Sequence, residues 1–447
     1  MTARVLRRAY WTAYTLWHVR NEATLPFRPL DEIVARQSRR VRSIVAHAYH
    51  SVPHYREVMD AARLRPGDFR SADDLARLPV LAGGDLARDP LRFLSRRWAN
   101  GRALEVRSSG TSGYAKGIFY DAAALFLSLA HGHRQRHVLA RFVGKTHGYR
   151  EMHLVRDRSV AHQLREFYES RTWVPRRVDL ERSRASPEEA FPDTIARINA
   201  YKPDVIRGYG GHLGALFRFA ADRRLPLHRP KCVVYGADRL PEADRATIER
   251  EFGAPVLSTY QAAEALRIGF QCEERKAFHL SIDHTAARVI DAGGKPVAPG
   301  AQGAIVISNL VNRASVLLNY RLGDIVTVSA ERCPCGRTLP TIEGIDGRAD
   351  DFVLHEDGRR LHALLVLAPL LRVAGVFQLQ LVQEEPKRFL LRVVGAPQSA
   401  WVAMGRDLDA ALRSIMGHAI AVEIERVDAI APEASGKVRS VISRCLA

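Results

Sequence analysis

Residues able to do chemistry gather in a few short runs of this 447-residue chain. The densest run, RSSGTSGYAKGIFYD at 107–121, holds Gly110, Gly113 and Gly117, the hydroxyl residues Ser108, Ser109, Thr111 and Ser112, and Lys116. Glycine tolerates positive φ, so such a backbone can turn several N–H groups toward one bound anion. Hydroxyl donors and an ammonium group complete a cradle for phosphate. The spacing is not that of the common nucleotide P-loop, in which Gly-Lys-Ser/Thr follows four variable residues. Here the glycines come first and Lys116 lies three residues beyond Gly113. On its own the run reads equally as a Gly/Ser surface loop.

A second group is thiol and imidazole. Cys272 and His279 stand in FQCEERKAFHLS, and Cys333 and Cys335 flank one proline. This is not a standard zinc-finger spacing. Three thiolates and one imidazole can nevertheless close a tetrahedral Cys₃His site; the alternative is unrelated thiols beside a turn. Cys232 and Cys445 have no such company. Lysine is scarce, with eight residues, and one of them, Lys437, lies in a second glycine-containing segment, PEASGKVRS.

The elements that must position these groups can be read from pattern. Apolar spacing predicts helices over 30–50, 121–142 and 188–200. LPEADRATIEREFG is a punctuated helix, with Pro241 near its start and Gly253 past its end. It lies between CVVYG (232–236) and PVLSTY (255–260), which gives strand, helix, strand and hence an α/β sheet. From 286 the pattern turns to β-hairpins, ARVIDAGGKPV, GAIVISNL and DIVTVS, with Gly-Gly and Gly-Asp as breakers. Beyond Asp350 the chain reads as a small α+β unit: a strand pair over 377–394 turning at EEPKR, a helix over about 400–416 and a strand over 419–426. The fold class expected is α/β, a large N-terminal domain over 1–349 and a small α+β C-terminal domain over 350–447.

Net charge is +18, from 67 Lys+Arg against 49 Asp+Glu. That favours polyanions, phosphorylated cofactors included. The arginines are dispersed, whereas specific nucleic-acid recognition gathers basic residues on one motif or face; a zinc-dependent nucleic-acid binder is therefore the remote alternative. The N-terminal MTARVLRRAYWTAYTLWHVRNE lacks a signal-peptide pattern. It reads as an amphipathic helix that packs on the body or lies on a membrane surface. The longest apolar stretch, ALLVLAPLLRVAGVF, is broken by Pro369 and Arg372, so no spanning helix is expected. Five scattered cysteines suggest a reducing cytoplasm.

LEVRSSGTSGYAK resembles the phosphate loop of the adenylate-forming superfamily, which includes acyl- and aryl-CoA ligases. Four later segments resemble that family's motifs in the family's order. STYQAAEA implies Tyr260 against adenine and Glu264 on Mg²⁺; NYRLGDIV implies Asp324 on the ribose hydroxyls. IDGRADD implies Arg348 near the phosphates and Asp350 as the hinge. PEASGKVRS implies Lys437 on the α-phosphate and the substrate carboxylate, and the loop Ser108–Gly113 with Lys116 implies the polyphosphate cradle. Each segment has an ordinary alternative (a core aromatic, a solvated glutamate, a turn aspartate), but all five occur in order between 107 and 437.

Within the superfamily, the chain resembles most the phenylacetate–CoA ligase branch and its capsule-biosynthesis-associated relatives. The segments are VRSIVAHAYHSVPHYREVMD, YGADRLPEADRATIEREFG and CPCGRTLPTIEGIDGR. By that resemblance Gly236, Ala237 and Asp238 border the base, and a structural Zn²⁺ lies on Cys272, His279, Cys333 and Cys335, as in some members. Gln261 departs from the glycine most relatives carry after the adenine-stacking aromatic. His212, in RGYGGHLGAL, reads as facing the acyl pocket or as ordinary helix packing. The resemblance implies ATP-dependent conversion of a carboxylic acid, aromatic or arylacetic by kinship, to an acyl-adenylate and then a CoA thioester. The alternative acceptors are an amine, a sugar or a carrier-protein thiol. A homodimer, common among relatives, is a further expectation.

Overall fold

The computed structural model describes residues 3–107, 116–156, 159–173, 181–348, 352–355, 357–395, 398–428, 430 and 439–445. Strands β1 (Leu104–Arg107) and β2 (Gly117–Tyr120) pair antiparallel and flank the glycine-rich run in sequence. Among the described residues eleven strands form the main sheet. Its parallel half contains β3 (Arg150–Leu154), β4 (Glu181–Ala185), β5 (Val205–Tyr209), β6 (Cys232–Gly236) and β7 (Val256–Tyr260), in the order β4-β3-β5-β6-β7.

Parallel neighbours need a crossover, and helices Gly210–Asp222 and Glu242–Phe252 supply it between β5, β6 and β7. The second helix is the one expected from its punctuation: Pro241 is its N-cap, and Gly253 ends it with φ +64°. Phe217 and Phe252 meet edge-on at 5.0 Å beneath these strands, and each such buried side chain contributes roughly 1.5–3 kcal/mol.

The other half of the sheet is antiparallel: β8 (Gly269–Gln271), β9 (Phe278–Leu280), β10 (Thr285–Ile290), β11 (Gln302–Asn309), β12 (Tyr320–Val328) and β13 (Thr341–Arg348), in the order β8-β9-β13-β12-β11-β10. Here one expectation is corrected. Gly323-Asp324 does not break the strands but lies inside β12. The pairing with β11 slips between Ala304 and Val306, and Gly323 takes φ +94°. Glycine at positive φ makes a bulge without ending the strand. A second correction concerns 121–142, which is two helices, Ala122–His131 and His133–Val143, meeting at Gly132.

The C-terminal residues have their own core. A four-stranded sheet, β18-β17-β16-β19, combines β16 (Val376–Glu385), β17 (Arg388–Gly395), β18 (Ala421–Arg426) and β19 (Val441–Ser443). It follows a short pair, β14 (Phe352–Leu354) and β15 (Arg360–His362). Leu381, Leu391, Leu408, Leu412 and Met416 are fully buried between that sheet and helix Gln398–Met416. Against the larger body, Arg218 donates to the carbonyls of Val376 and Phe377.

At the other end, helix Ala3–Val19 packs one face on the body. Trp11 stacks on Phe126 at 4.5 Å, Thr15 is buried, and Arg8 donates to the carbonyls of Glu169 and Thr172. No helix among the described residues is long and apolar enough to cross a membrane.

Candidate functional site

The parallel strands β5, β6 and β7 end side by side at Tyr209, Gly236 and Tyr260. Ligands of open α/β sheets bind outside such carboxyl ends. Each end is followed by a sharp change of direction. After β6, Ala237 has φ +73°, and Asp238 accepts the N–H groups of both Gly210 and Gly211 at the first turn of helix Gly210–Asp222. The approach of these segments is close: a Cβ on Gly210 would lie 2.6 Å from the Arg239–Leu240 peptide, and one on Gly236 would lie 2.7 Å from Thr259 Oγ1. Glycine is needed at both positions for this packing.

After β7 the chain makes the short turn that holds Glu264. Asn309 Nδ2 donates to the Glu264 carbonyl, and Tyr120 Oη donates to that of Ala263 at 2.7 Å. These bonds from β11 and β2 fix a glutamate whose side chain is buried. Lys116, the residue before β2, reaches the same spot. Its Nζ lies 2.8 Å from Tyr320 Oη and 3.4 Å from Glu264 Oε1, and Tyr320 Oη donates to that oxygen at 3.1 Å.

Four residues farther along β12, Asp324 accepts a hydrogen bond from Tyr260 Oη at 2.7 Å. Tyr260 with the half-buried Asp324, and the buried Lys116, Glu264 and Tyr320, thus form two neighbouring contacts joined through β12 and the 260–264 turn, from three parts of the chain. The bulge at Gly323 shapes the strand that carries both Tyr320 and Asp324. Gln261, next to the buried Tyr260, is exposed.

Tyr320 was not singled out from sequence, although it is the second residue of the NYRLGDIV segment. Period-two alternation would put residue 320 on the face of Asp324, but the bulge interrupts it, and nothing in the spacing joins Tyr320 to Lys116. Arg348 closes β13, and its backbone is in register with Asp324; its side chain lies outside the described set. Ser108, Ser109, Gly110, Thr111, Ser112, Gly113, Asp350 and Lys437 also lie outside the described residues. His212 sits in the first turn of its helix, 5.6 Å from the ring of Phe191, and burial pushes its imidazole down to about 4.

The four zinc candidates meet about β8, β9 and the loop before β13. Cys272 Sγ lies 3.6 Å from Cys333 Sγ, and Cys335 Sγ lies 3.4 Å from His279 Nε2. One donor atom from each lies within 4.8 Å of all the others. Burial raises the thiols of Cys272 and Cys333 and lowers the His279 imidazole. The donor set fits a tetrahedral Cys₃His centre, with soft sulfur and a neutral imidazole.

A second buried polar cluster has no counterpart in the sequence reading. Arg134 donates to Glu22 at 2.7 Å and to both oxygens of Asp283 at 2.9 Å. Beside it His131 and His284 stack at 3.9 Å with an interplanar angle of 5°. Burial raises Asp283 less than Arg134 and His284 lower it, so its carboxyl stays well below the usual range. Both imidazoles are pushed far down by burial, assisted by Arg134 and Arg40. Glu22, the His131–Arg134 stretch and the Asp283–His284 pair come from three separate segments, and no motif spacing connects them.

Comparison with known proteins gives the following. Residues 353–444 match the CapK C-terminal domain family. A phenylacetate-coenzyme A ligase from Thermus thermophilus is 29% identical over 367 residues, 78% of this chain and 77% of that one. The Escherichia coli protein of the same name is 26% identical over 341 residues, 73% of each chain. Among solved structures, 2-hydroxyisobutyryl-CoA ligase in the postadenylation state in complex with R3-HIB-AMP superposes with a TM-score of 0.72 at 18% identity, covering 95% of this chain and 91% of that one. The same enzyme in complex with 2-HIB-AMP and CoA gives a TM-score of 0.61 at 19% identity, with the same coverage.

Proposed function

The chain belongs to the adenylate-forming superfamily, and on that premise we propose that it is an AMP-forming ligase that activates a carboxylic acid and passes the acyl group to the thiol of CoA. The observation that carries this reading is the buried Lys116–Glu264–Tyr320 contact joined through β12 to the Tyr260–Asp324 bond. These side chains stand at the carboxyl end of the parallel strands, where a nucleotide would lie.

A carboxylate is a poor acyl donor because its leaving group would be oxide. In the first step one carboxylate oxygen attacks the α-phosphorus of ATP, the bond to the β-phosphate oxygen breaks, and pyrophosphate leaves. In the second step the CoA sulfur attacks the carbonyl carbon, AMP leaves, and the thiol proton is lost to solvent. The first step brings two anions together, so it needs positive charge and directed donors in place before reaction.

We assign Lys116 and the Ser108–Gly113 run to the polyphosphate, Tyr260 with Gly236–Asp238 to the base, and Asp324 to the ribose hydroxyls. Glu264 would hold Mg²⁺, which when bound offsets polyphosphate charge. Arg348 would lie near the phosphates, and Lys437 would bridge the carboxylate and the α-phosphate. Carried by the 350–447 unit about Asp350, Lys437 could withdraw after the first step and admit the thiol; such closure also keeps water from the reactive adenylate. Lys116 contacts Tyr320 and Glu264, so polyphosphate binding there would exchange these contacts for phosphate. Cys272, His279, Cys333 and Cys335 would hold a structural Zn²⁺, since four protein ligands leave no open position.

An aryl or arylacetic acid is the substrate we favour, supported by the names of the relatives, and the site of action we favour is the cytoplasm. The test is a carboxylate panel read by ATP–pyrophosphate exchange, followed by an acceptor panel read by AMP release. Arylacetate-dependent exchange, with AMP release that requires CoA, is the expected result. Exchange with an arylacetate but release with an amine, sugar or carrier thiol alone would replace the acceptor, and no exchange with any carboxylate would overturn the reading.

A further inference from the structure

Helix Ala3–Val19 is half used by the fold. Trp11, Thr15 and Arg8 face the body, as described above. The opposite stripe should then be polar, as on an ordinary surface helix. It is not. Leu6, Tyr10 and Trp17 recur at spacings of four and seven on one line, and Leu16 is exposed about 100° round the helix from Trp17. Each of the four is more than half exposed. A monomer rarely leaves such a contiguous apolar strip in water without a use for it.

The charges about the strip select the partner. Arg7 on the helix and Arg20 at its exit are exposed and flank the strip, whereas Arg4 lies on the line of Arg8, Trp11 and Thr15; the helix contains no acidic residue. The Arg20 guanidinium lies over the Trp17 ring at 3.4 Å, so cation and aromatic form one exposed unit. A second copy meeting this face about a two-fold axis would set arginines against arginines, a like-charge contact. A surface with negative charge above an apolar layer meets both demands. The helix is too short and too polar to cross a bilayer. Lying in the plane, it would put Leu6, Tyr10 and Trp17 together at the boundary between headgroups and acyl chains, and Arg7 and Arg20 on lipid phosphates.

We propose that the outward face of helix Ala3–Val19 is a membrane-surface anchor for anionic lipid bilayers, which places the enzyme body against the membrane without spanning it. This rests on the helix alone and is independent of the activity proposed above.

The test is flotation of the full-length protein with vesicles of phosphatidylcholine alone and of phosphatidylcholine with phosphatidylglycerol, at about 0.1 M and about 0.5 M salt. The wild type should float with the anionic vesicles at low salt and largely dissociate at high salt. A Leu6→Ser, Tyr10→Ser, Trp17→Ser triple variant should lose about tenfold in bound fraction, with its melting temperature unchanged because those side chains already face solvent. An Arg7→Gln, Arg20→Gln variant should weaken binding and flatten the salt dependence. Failure of the wild type to float, equal flotation with neutral vesicles, or undiminished flotation of the triple variant would each overturn the proposal. So would a wild-type dimer in light scattering that the triple variant converts to monomer, since a second copy would then be the occupant.

Discussion

The Lys116–Glu264 pair and the Arg134–Asp283–Glu22 network are both buried, yet they are built differently. Arg134 is held by three hydrogen bonds of 2.7–2.9 Å, and the ionic side chains are at most 1% exposed. Lys116 meets Glu264 only at 3.4 Å, with both side chains 7% exposed. A buried ion that loses its partner leaves an uncompensated charge, which is strongly destabilising. A long contact at the edge of a cleft can instead be exchanged for a ligand. The first arrangement fixes the N-terminal segment, helix His133–Val143 and the β9–β10 turn to one another. The second keeps cation and carboxylate near the place where phosphate would enter. Burial alone therefore does not mark a functional charge; the quality of its partners does.

Mutation should separate the two. Arg134→Met is expected to cost about 3–5 kcal/mol of stability in urea denaturation, because Asp283 and Glu22 lose their shared cation; a loss near zero would remove the structural role. Lys116→Met is expected to lower pyrophosphate exchange about 10²–10³-fold, while its stability loss stays well below that of Arg134→Met. Equal losses of stability in the two variants would erase the distinction. The third prediction concerns pH. His131, His284 and His212 are buried with folded-state pKa values below the ordinary value, that of His212 at about 4. The unfolded chain takes up protons on these groups from about pH 6.5 downward, so stability is fully present above that pH and falls as pH drops below it. The slope should approach about 1.4 kcal/mol per pH unit for each histidine. Denaturation curves at pH 7 and pH 5 measure it, and His131→Asn should reduce the slope; an unchanged slope would contradict the burial argument.

Legibility in the sequence followed locality. The strand-helix-strand unit over 232–260 was readable because Pro241, Gly253 and the flanking apolar runs all lie within a few residues of the structure they specify. The strand pair at β16 and β17 and helix Gln398–Met416 were readable for the same reason. Gly323 misled because a positive-φ glycine serves equally as a turn or as a bulge, and only the register of β11 against β12 decides. Helix 121–142 was read as one because its apolar spacing runs across Gly132, where the backbone nevertheless restarts. Within the site, Tyr260, Glu264 and Asp324 were legible as motif members, but their mutual contacts were not. The Tyr260–Asp324 bond joins residues 64 apart, and the Lys116–Tyr320 bond joins residues 204 apart. The Arg134 network was illegible for a stronger reason: its members share no segment, and only the folded body assembles them.

The central claim is that a lysine near the end of the chain completes a nucleotide site built by the larger body. Its most direct measurement compares Lys437→Ala with wild type in the two half-reactions. Carboxylate-dependent ATP–pyrophosphate exchange should fall about 10²-fold or more, while ATP affinity and thioester formation from a supplied acyl-adenylate and CoA remain near wild type. Full exchange activity in the variant, or equal loss in both half-reactions, would contradict the account.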